Sequence, residues 1–516
     1  MKPLISRRAL LLAGLALAPA IARAQTDSTN PATRPAIGPP IRRIATASAL
    51  STEQIGSIIS AVELRDGRVL VNDGTRRRLL LMDTSLTKVE VVLDSLGEVS
   101  NSYGTRPGAL IPYRGDSVLF IDPASYALIV LDPTGKIARV RSVWRVQDVF
   151  YVTSPTGGFG WPGTDAQGRV VYRIYAQAEP PKVAPPPGVP WIPTEPDSAF
   201  IVAMNIDTRK LDTIGAIRIP KTIWTIKMMA EGGYSISPSI NPLPTTDDWA
   251  VLPDGAVAFV RGRDYRIEYR EADGSWTSSE KLPFDWQRMT EESKQKLVDS
   301  VKSVNQRTAL GGYINQMIRW ANIYNRPFPP KFTVPDGFVP TPGLLKEWKL
   351  PANLKLPANY IYGCPPGVEP TIIAPPAGGA VTPPPPGLPM GTPPGVPGGT
   401  PSCIPMPMSF GGGQIPPPPQ MRETAVMPPQ ELPDYRPPFG SGAVRADVDG
   451  NLWIRTIPPK PIPGGPAFDI VSRKGELVDR IQLPPGYTVV GFGKDKVVYL
   501  SMRDAKGIHL ARVRLR

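Results

Sequence analysis

Reactive side chains are scarce in this chain. Its 516 residues include one histidine, His509, and two cysteines, Cys364 and Cys403. Histidine is the commonest base and metal ligand near neutral pH, so a Ser-His-Asp triad would have to be built on His509. That residue sits in an alternating apolar run near the C-terminus, which reads more simply as a packed strand. Zinc sites made of several His or Cys ligands are excluded by count, and no catalytic residue is assigned. The two cysteines leave two chemistries open. In an oxidising compartment a Cys364–Cys403 disulfide would close a loop and restrict the unfolded chain. Alternatively, Cys403 with Met390, Met406 and Met408 is a soft donor set suited to Cu(I).

Aromatic residues with polar neighbours offer binding chemistry instead. Trp144 stands beside Arg145 and Asp148, while Trp191 and Trp224 lie in long connections; together these five residues are the expected ligand contacts. Trp453, inside a Val- and Ile-rich run, is expected in the core. No cofactor follows from these residues, although Ca²⁺ held by carboxylates in a central channel stays open.

The elements that would position these groups begin after residue 24. Lys2, Arg7 and Arg8 precede an apolar run at residues 9–21, and Ala22-Arg23-Ala24 fits a cleavage point, as in an export signal. Ser6-Arg7-Arg8-Ala9-Leu10-Leu11 resembles a twin-arginine motif; a Sec signal with two adjacent arginines is the alternative. The run falls short of the roughly 20 apolar residues that span a bilayer, and no later stretch reaches that length. A chain without a transmembrane segment in the periplasm, or secreted, is therefore expected. Removing residues 1–24 lowers the formal charge from +13 to +9. The excess is dispersed, without the basic stripe of a nucleic-acid reader.

The mature sequence repeats. Residues 58–64, 68–72, 78–83 and 88–93 are four short Val-, Ile- and Leu-rich runs separated by turn residues. The same grammar recurs at 109–113, 117–122, 126–132 and 136–140. A third set is 148–152, 169–174, 199–205 and 210–217, and a fourth is 248–252, 256–261, 265–270 and 275–281. The fifth is 442–447, 451–456, 467–472 and 476–483. A sixth set has only three runs, 488–493, 496–502 and 507–514, and residues 41–47 could supply the missing strand. Closure by the other terminus removes an exposed sheet edge. The pattern predicts an all-β, six-bladed β-propeller closed by an N-terminal strand.

Residues 104–112, Gly-Thr-Arg-Pro-Gly-Ala-Leu-Ile-Pro, resemble the G-x-x-P-G-x-F-x-x-P lead-in of NHL-type six-bladed propellers. Residues 66–73 and 117–122 resemble the D-G-x-x-Y-V-A-D core of that family. The ending, residues 467–475 with Leu483-Pro484-Pro485-Gly486 and Val490-Gly491-Phe492-Gly493, resembles exported bacterial propellers of this group. The resemblance covers about three fifths of the chain and implies architecture more than activity.

Antiparallel blades alternate their turns between two faces. On one face the connections are tight, except for a longer passage at residues 154–167. The other face takes residues 175–198, 218–247, 457–466 and the long insertion 282–441. Loops on a rigid scaffold are where binding groups concentrate. Residues 290–323 read as helical, with Thr290 as N-cap, Glu291 and Glu292 in the first turn, and a break at Gly311-Gly312. The domain reading takes 282–364 as a small helical insertion and 365–441 as a proline-rich loop, with 25 prolines between Pro365 and Pro438. The expected role is binding of a protein, peptide or glycan at this elaborated face. Two alternatives remain: a carboxylate- or metal-dependent hydrolase or lyase in the channel, and a structural part of an envelope assembly.

Overall fold

Short apolar runs punctuated by Asp and Gly turns fold here as antiparallel strands, because each turn is held by its own carboxylate. Asp132 accepts from the N–H of Thr134 and Lys136, Asp165 from Gln167 and Arg169, and Asp447 from Asp449 and Asn451, all at 2.8–3.1 Å. In each turn the residue three positions on is a glycine in the left-handed region: Gly135, Gly168 and Gly450.

The computed structural model describes residues 38–95, 102–153, 158–174, 190, 192, 196–228, 233–324, 424–458, 462–505 and 507–515. The basic leader at 1–24, Trp191, both cysteines and most of the proline-rich tract lie outside the described residues.

The N-terminal stretch gives β1 (Ile41–Arg43) and β2 (Ala49–Leu50). Blade one is β3 (Ile58–Glu63), β4 (Val69–Asp73), β5 (Arg78–Met82) and β6 (Val89–Leu93). Blade two is β7 (Ala109–Pro112), β8 (Val118–Asp122), β9 (Ala127–Leu131) and β10 (Ile137–Ser142). A short helix, α1 (Val149–Thr153), leads into blade three: β11 (Gly163–Thr164), β12 (Val170–Ile174), β13 (Ser198–Met204) and β14 (Leu211–Arg218). A hairpin of β15 (Trp224–Met228) and β16 (Tyr234–Pro238) precedes blade four, β17 (Asp248–Val251) to β18 (Val257–Arg261), β19 (Arg266–Arg270) and β20 (Trp276–Ser278). After helix α2 (Glu291–Tyr324) come blade five, β21 (Phe439–Ala446), β22 (Leu452–Thr456), β23 (Ala467–Val471) and β24 (Leu477–Gln482), and blade six, β25 (Thr488–Gly493), β26 (Val497–Asp504) and β27 (Gly507–Arg514).

Six sheets in a ring require six apolar seams, and six are present. Leu79 and Phe120 mark the seam of blades one and two, Ile121 and Tyr172 that of two and three, and Val171 and Trp249 that of three and four. Val260 packs with Val444 between blades four and five, Trp453 with Val498 between five and six, and Tyr499 with Val71 between six and one. The last seam closes the circle.

Three expectations are corrected. The outer strand of blade six is β2, antiparallel to β27, and not residues 41–47. Within that stretch β1 pairs in parallel with β24 and extends blade five to five strands, held by Arg42 on Asp479. Residues 148–152 are not the inner strand of blade three. Val149 and Val152, buried three positions apart, form one face of α1 instead, and β11 takes the inner position. Gly311-Gly312 does not break α2, which is one 34-residue helix. A glycine costs about 1 kcal/mol relative to alanine, which the long helical stretches on either side outweigh. Thr290 is its N-cap, its hydroxyl accepting from the Ser293 N–H at 3.2 Å.

Candidate functional site

Every long connection with described residues emerges on a single face. With β11 in place, the passage from blade two to blade three, including Phe159 and Trp161, joins the outer strand of one blade to the inner strand of the next. It therefore belongs to the elaborated face, and the tight-turn face loses its one exception. The β15–β16 hairpin and the long insertion are also inter-blade connections.

These pieces pack on one another. The two ends of the long insertion pair at its base: the Met289 N–H donates to the Asp434 carbonyl at 2.7 Å, and the Arg436 N–H donates to the Gln287 carbonyl at 3.1 Å. Lys294 of α2 reaches the Asp434 carboxylate at 3.0 Å, and Asn305 donates to the Thr424 carbonyl at 2.6 Å. Val298, Met427 and Leu432 form a small apolar core beneath the helix, with Ile223 from the hairpin side against it. Ile240 bridges Val426 in parallel, tying the hairpin segment to the returning chain.

Beside this base lies a groove of about 540 Å³, lined by Trp286, Tyr435, Pro433, Pro437, Asp434, Thr245 and the Gly262-Arg263 turn of blade four. Trp286 is 38% and Tyr435 50% exposed. Phe284, edge-on to Trp286 at 5.0 Å, backs the tryptophan. Two aromatic faces, two proline rings and a charge of each sign can clasp an extended segment of a partner.

The expected contacts are placed differently. Trp144 is buried, its indole N–H donating to the Tyr172 hydroxyl at 3.1 Å, and Tyr172 donates to Asp148 at 2.6 Å. Burial, followed by the negative Asp148 beside it, raises the Tyr172 pKa well above its ordinary value. Arg145 lies 3.4 Å from the same carboxylate. Trp144 and Asp148 are thus committed to the seam between blades two and three, with Arg145 at its rim. Trp224 starts the β15 strand half-buried, and its buried indole nitrogen has no hydrogen-bond partner among the described residues. The expected ligand contact Trp191 and the Cys364–Cys403 pair lie outside the described residues. Trp453 is in the core, as expected. His509 holds the Ser51 carbonyl through Nδ1 at 3.0 Å and serves ring closure.

The carboxylates lining the channel do not converge on a cation. Glu63 accepts from the Tyr499 hydroxyl at 2.6 Å and the Lys494 N–H at 2.9 Å, while Asp165 and Asp447 hold their turns. Among the described residues no three His, Cys, Asp or Glu side chains are grouped to hold a metal. Among the described residues no helix is long and apolar enough to cross a membrane.

No protein-family model and no curated protein matches the chain. Solved structures similar to it are six-bladed propellers. A gluconolactonase from Xanthomonas campestris is 11% identical, with 94% of this chain and 99% of that one covered and a TM-score of 0.33. Regucalcin from Agrobacterium tumefaciens, described as a calcium-binding protein, is 10% identical over 92% and 98%, at 0.32. Virginiamycin B lyase from Staphylococcus aureus is 12% identical over 46% and 73%, at 0.23. Likeness at this level transfers no chemistry to this chain.

Sequence reasoning missed Trp286 and Tyr435. Both stand where the long insertion leaves and rejoins the propeller, and an aromatic residue at each end of an insertion is the signal that would have found them.

Proposed function

We propose that this chain is an exported binding module whose elaborated face receives an extended segment of a protein or peptide partner. The observation that carries this reading is the groove between Trp286 and Tyr435, framed by both ends of the long insertion. Ile226, Met228 and Tyr234 are also exposed, on the β15–β16 hairpin of the same inter-blade connections. Export rests on the basic and apolar leader at residues 1–24, with periplasm or secretion as its consequence. Kinship of the repeats with NHL-type propellers rests on residues 104–112 and the Asp-Gly strand cores.

Co-purification from the native envelope, with wild type and a Trp286→Ala/Tyr435→Ala double variant compared by mass spectrometry, tests the binding role. A partner retained by wild type and lost by the folded variant is expected. Equal capture by both sinks the assignment of this groove.

A further inference from the structure

The opposite end of the ring carries a second feature. All six inner strands enclose a cavity of about 640 Å³ whose mouth is ringed by the tight turns, including Arg114–Asp116, Gln167-Gly168 and Pro253. This volume lies within the roughly 300–1,000 Å³ of small-molecule sites. Arg445, on β21, projects into it. Its guanidinium carbon lies 3.9 Å from the Trp161 ring centre and 5.4 Å from that of Phe492. Nη1 donates to the Val489 carbonyl on the inner strand of blade six.

What distinguishes Arg445 is its place, lining the cavity against two aromatic rings. Other half-buried arginines either pair with a carboxylate, as Arg78 does with Asp73 and Arg169 with Asp165, or lie away from the channel, as Arg512 does on the outer part of blade six. Arg445 has no ion pair among the described residues. Burial pulls its pKa down to about 9. Acids do line the same cavity, but Glu63 is held by Tyr499 and the Lys494 N–H, and Asp165 by Arg169. A covered charge without an ion pair is costly, and a perturbed charge in a cleft marks a candidate binding site. A guanidinium offers five N–H donors in a planar fork suited to a carboxylate. Two aromatic rings pack against that fork.

We propose that the channel binds a small organic anion, a planar carboxylate with an apolar or aromatic body, whose carboxylate pairs with Arg445 and whose body lies against Trp161 and Phe492. Entry is from the tight-turn face. The site is independent of the partner groove on the other face.

Calorimetry with benzoate, phenylacetate and cinnamate, against their neutral amides, tests it on the full chain. Saturable binding of at least one acid, at least tenfold tighter than its amide, is expected. Arg445→Gln should weaken that binding at least tenfold, and Trp161→Leu should weaken it while leaving the charge in place. Equal binding of acid and amide, no binding of any acid, or unchanged affinity in Arg445→Gln overturns the site. Thermal unfolding without ligand gives a second readout. Arg445→Met should melt at the same temperature as wild type or higher, since it removes an unpaired charge. A clear loss of stability would make the arginine a structural tie to Val489 and overturn the proposal.

Discussion

Lys294 Nζ lies 3.0 Å from the Asp434 carboxylate, joining residues 140 positions apart and pinning α2 to the returning end of its own insertion. The ammonium is covered by its surroundings, while the carboxylate faces solvent. The pair joins α2 to a small satellite core of Val298, Met427 and Leu432 that shares no residue with the six seams of the ring.

Lys294→Met should therefore loosen the helix without loosening the propeller. Hydrogen exchange followed by mass spectrometry should be faster in peptides from the first turns of α2 and unchanged in β8, β18 and β26. Unchanged exchange in α2 would show that the apolar contacts alone hold it.

Asp248 begins the inner strand of blade four and is buried, its carboxylate accepting the Val444 and Trp249 N–H groups at 2.9 Å each. Burial outweighs those hydrogen bonds and raises its pKa from 3.8 to about 7. The folded state therefore holds a proton between pH 4 and 7 that the unfolded chain releases. Stability from this group is present at low pH and falls as pH rises through that window, by at most about 4 kcal/mol. Urea unfolding of wild type and Asp248→Asn at pH 4, 5, 6 and 7 should show wild type losing its relative advantage with rising pH. A constant difference across the series would contradict the raised pKa.

Ring closure depends on a few residues. The Ser51 N–H donates to the Leu510 carbonyl at 2.9 Å, its hydroxyl accepts the Leu510 N–H at 2.9 Å, and the Ser48 N–H reaches the Arg512 carbonyl at 2.7 Å. Starting the chain at Thr52 should leave the edge of β27 unpaired, an invitation to association. Light scattering should then find dimers or larger species, with a lower urea midpoint. A monomer of unchanged midpoint would mean that β2 contributes little.

Much of the architecture was legible because each blade repeats a local code. Asp132, Asp165 and Asp447, each with a glycine three residues on, announce turns through contacts within five residues, and the alternating apolar runs between them announce strands. Misread segments were those where local preference and final position diverge. The run Val149–Thr153 is β-branched enough for a strand, yet it folds as a helical turn because Val149 and Val152 can both reach the seam from one face. Residues 41–47 had the composition of a closing strand, but the pairing of Arg42 with Asp479, 437 positions away, draws β1 to blade five.

The candidate sites were less legible. Trp144, Arg145 and Asp148 are adjacent in sequence and look like a binding cluster, while burial decides that two of them serve a seam. Trp286 and Tyr435 become neighbours only when the two ends of a long insertion pair. What marks Arg445, its place in the channel against Trp161 and Phe492, is a property of three-dimensional surroundings. By itself the sequence determined the number of blades, the turns between strands and the face that bears the long connections, because these follow from periodicity and local hydrogen bonding. Only the tertiary structure decided which terminal strand closes the ring, which aromatic rings remain exposed and which arginine faces the channel, because each depends on groups distant in the chain that folding brings within a few ångströms.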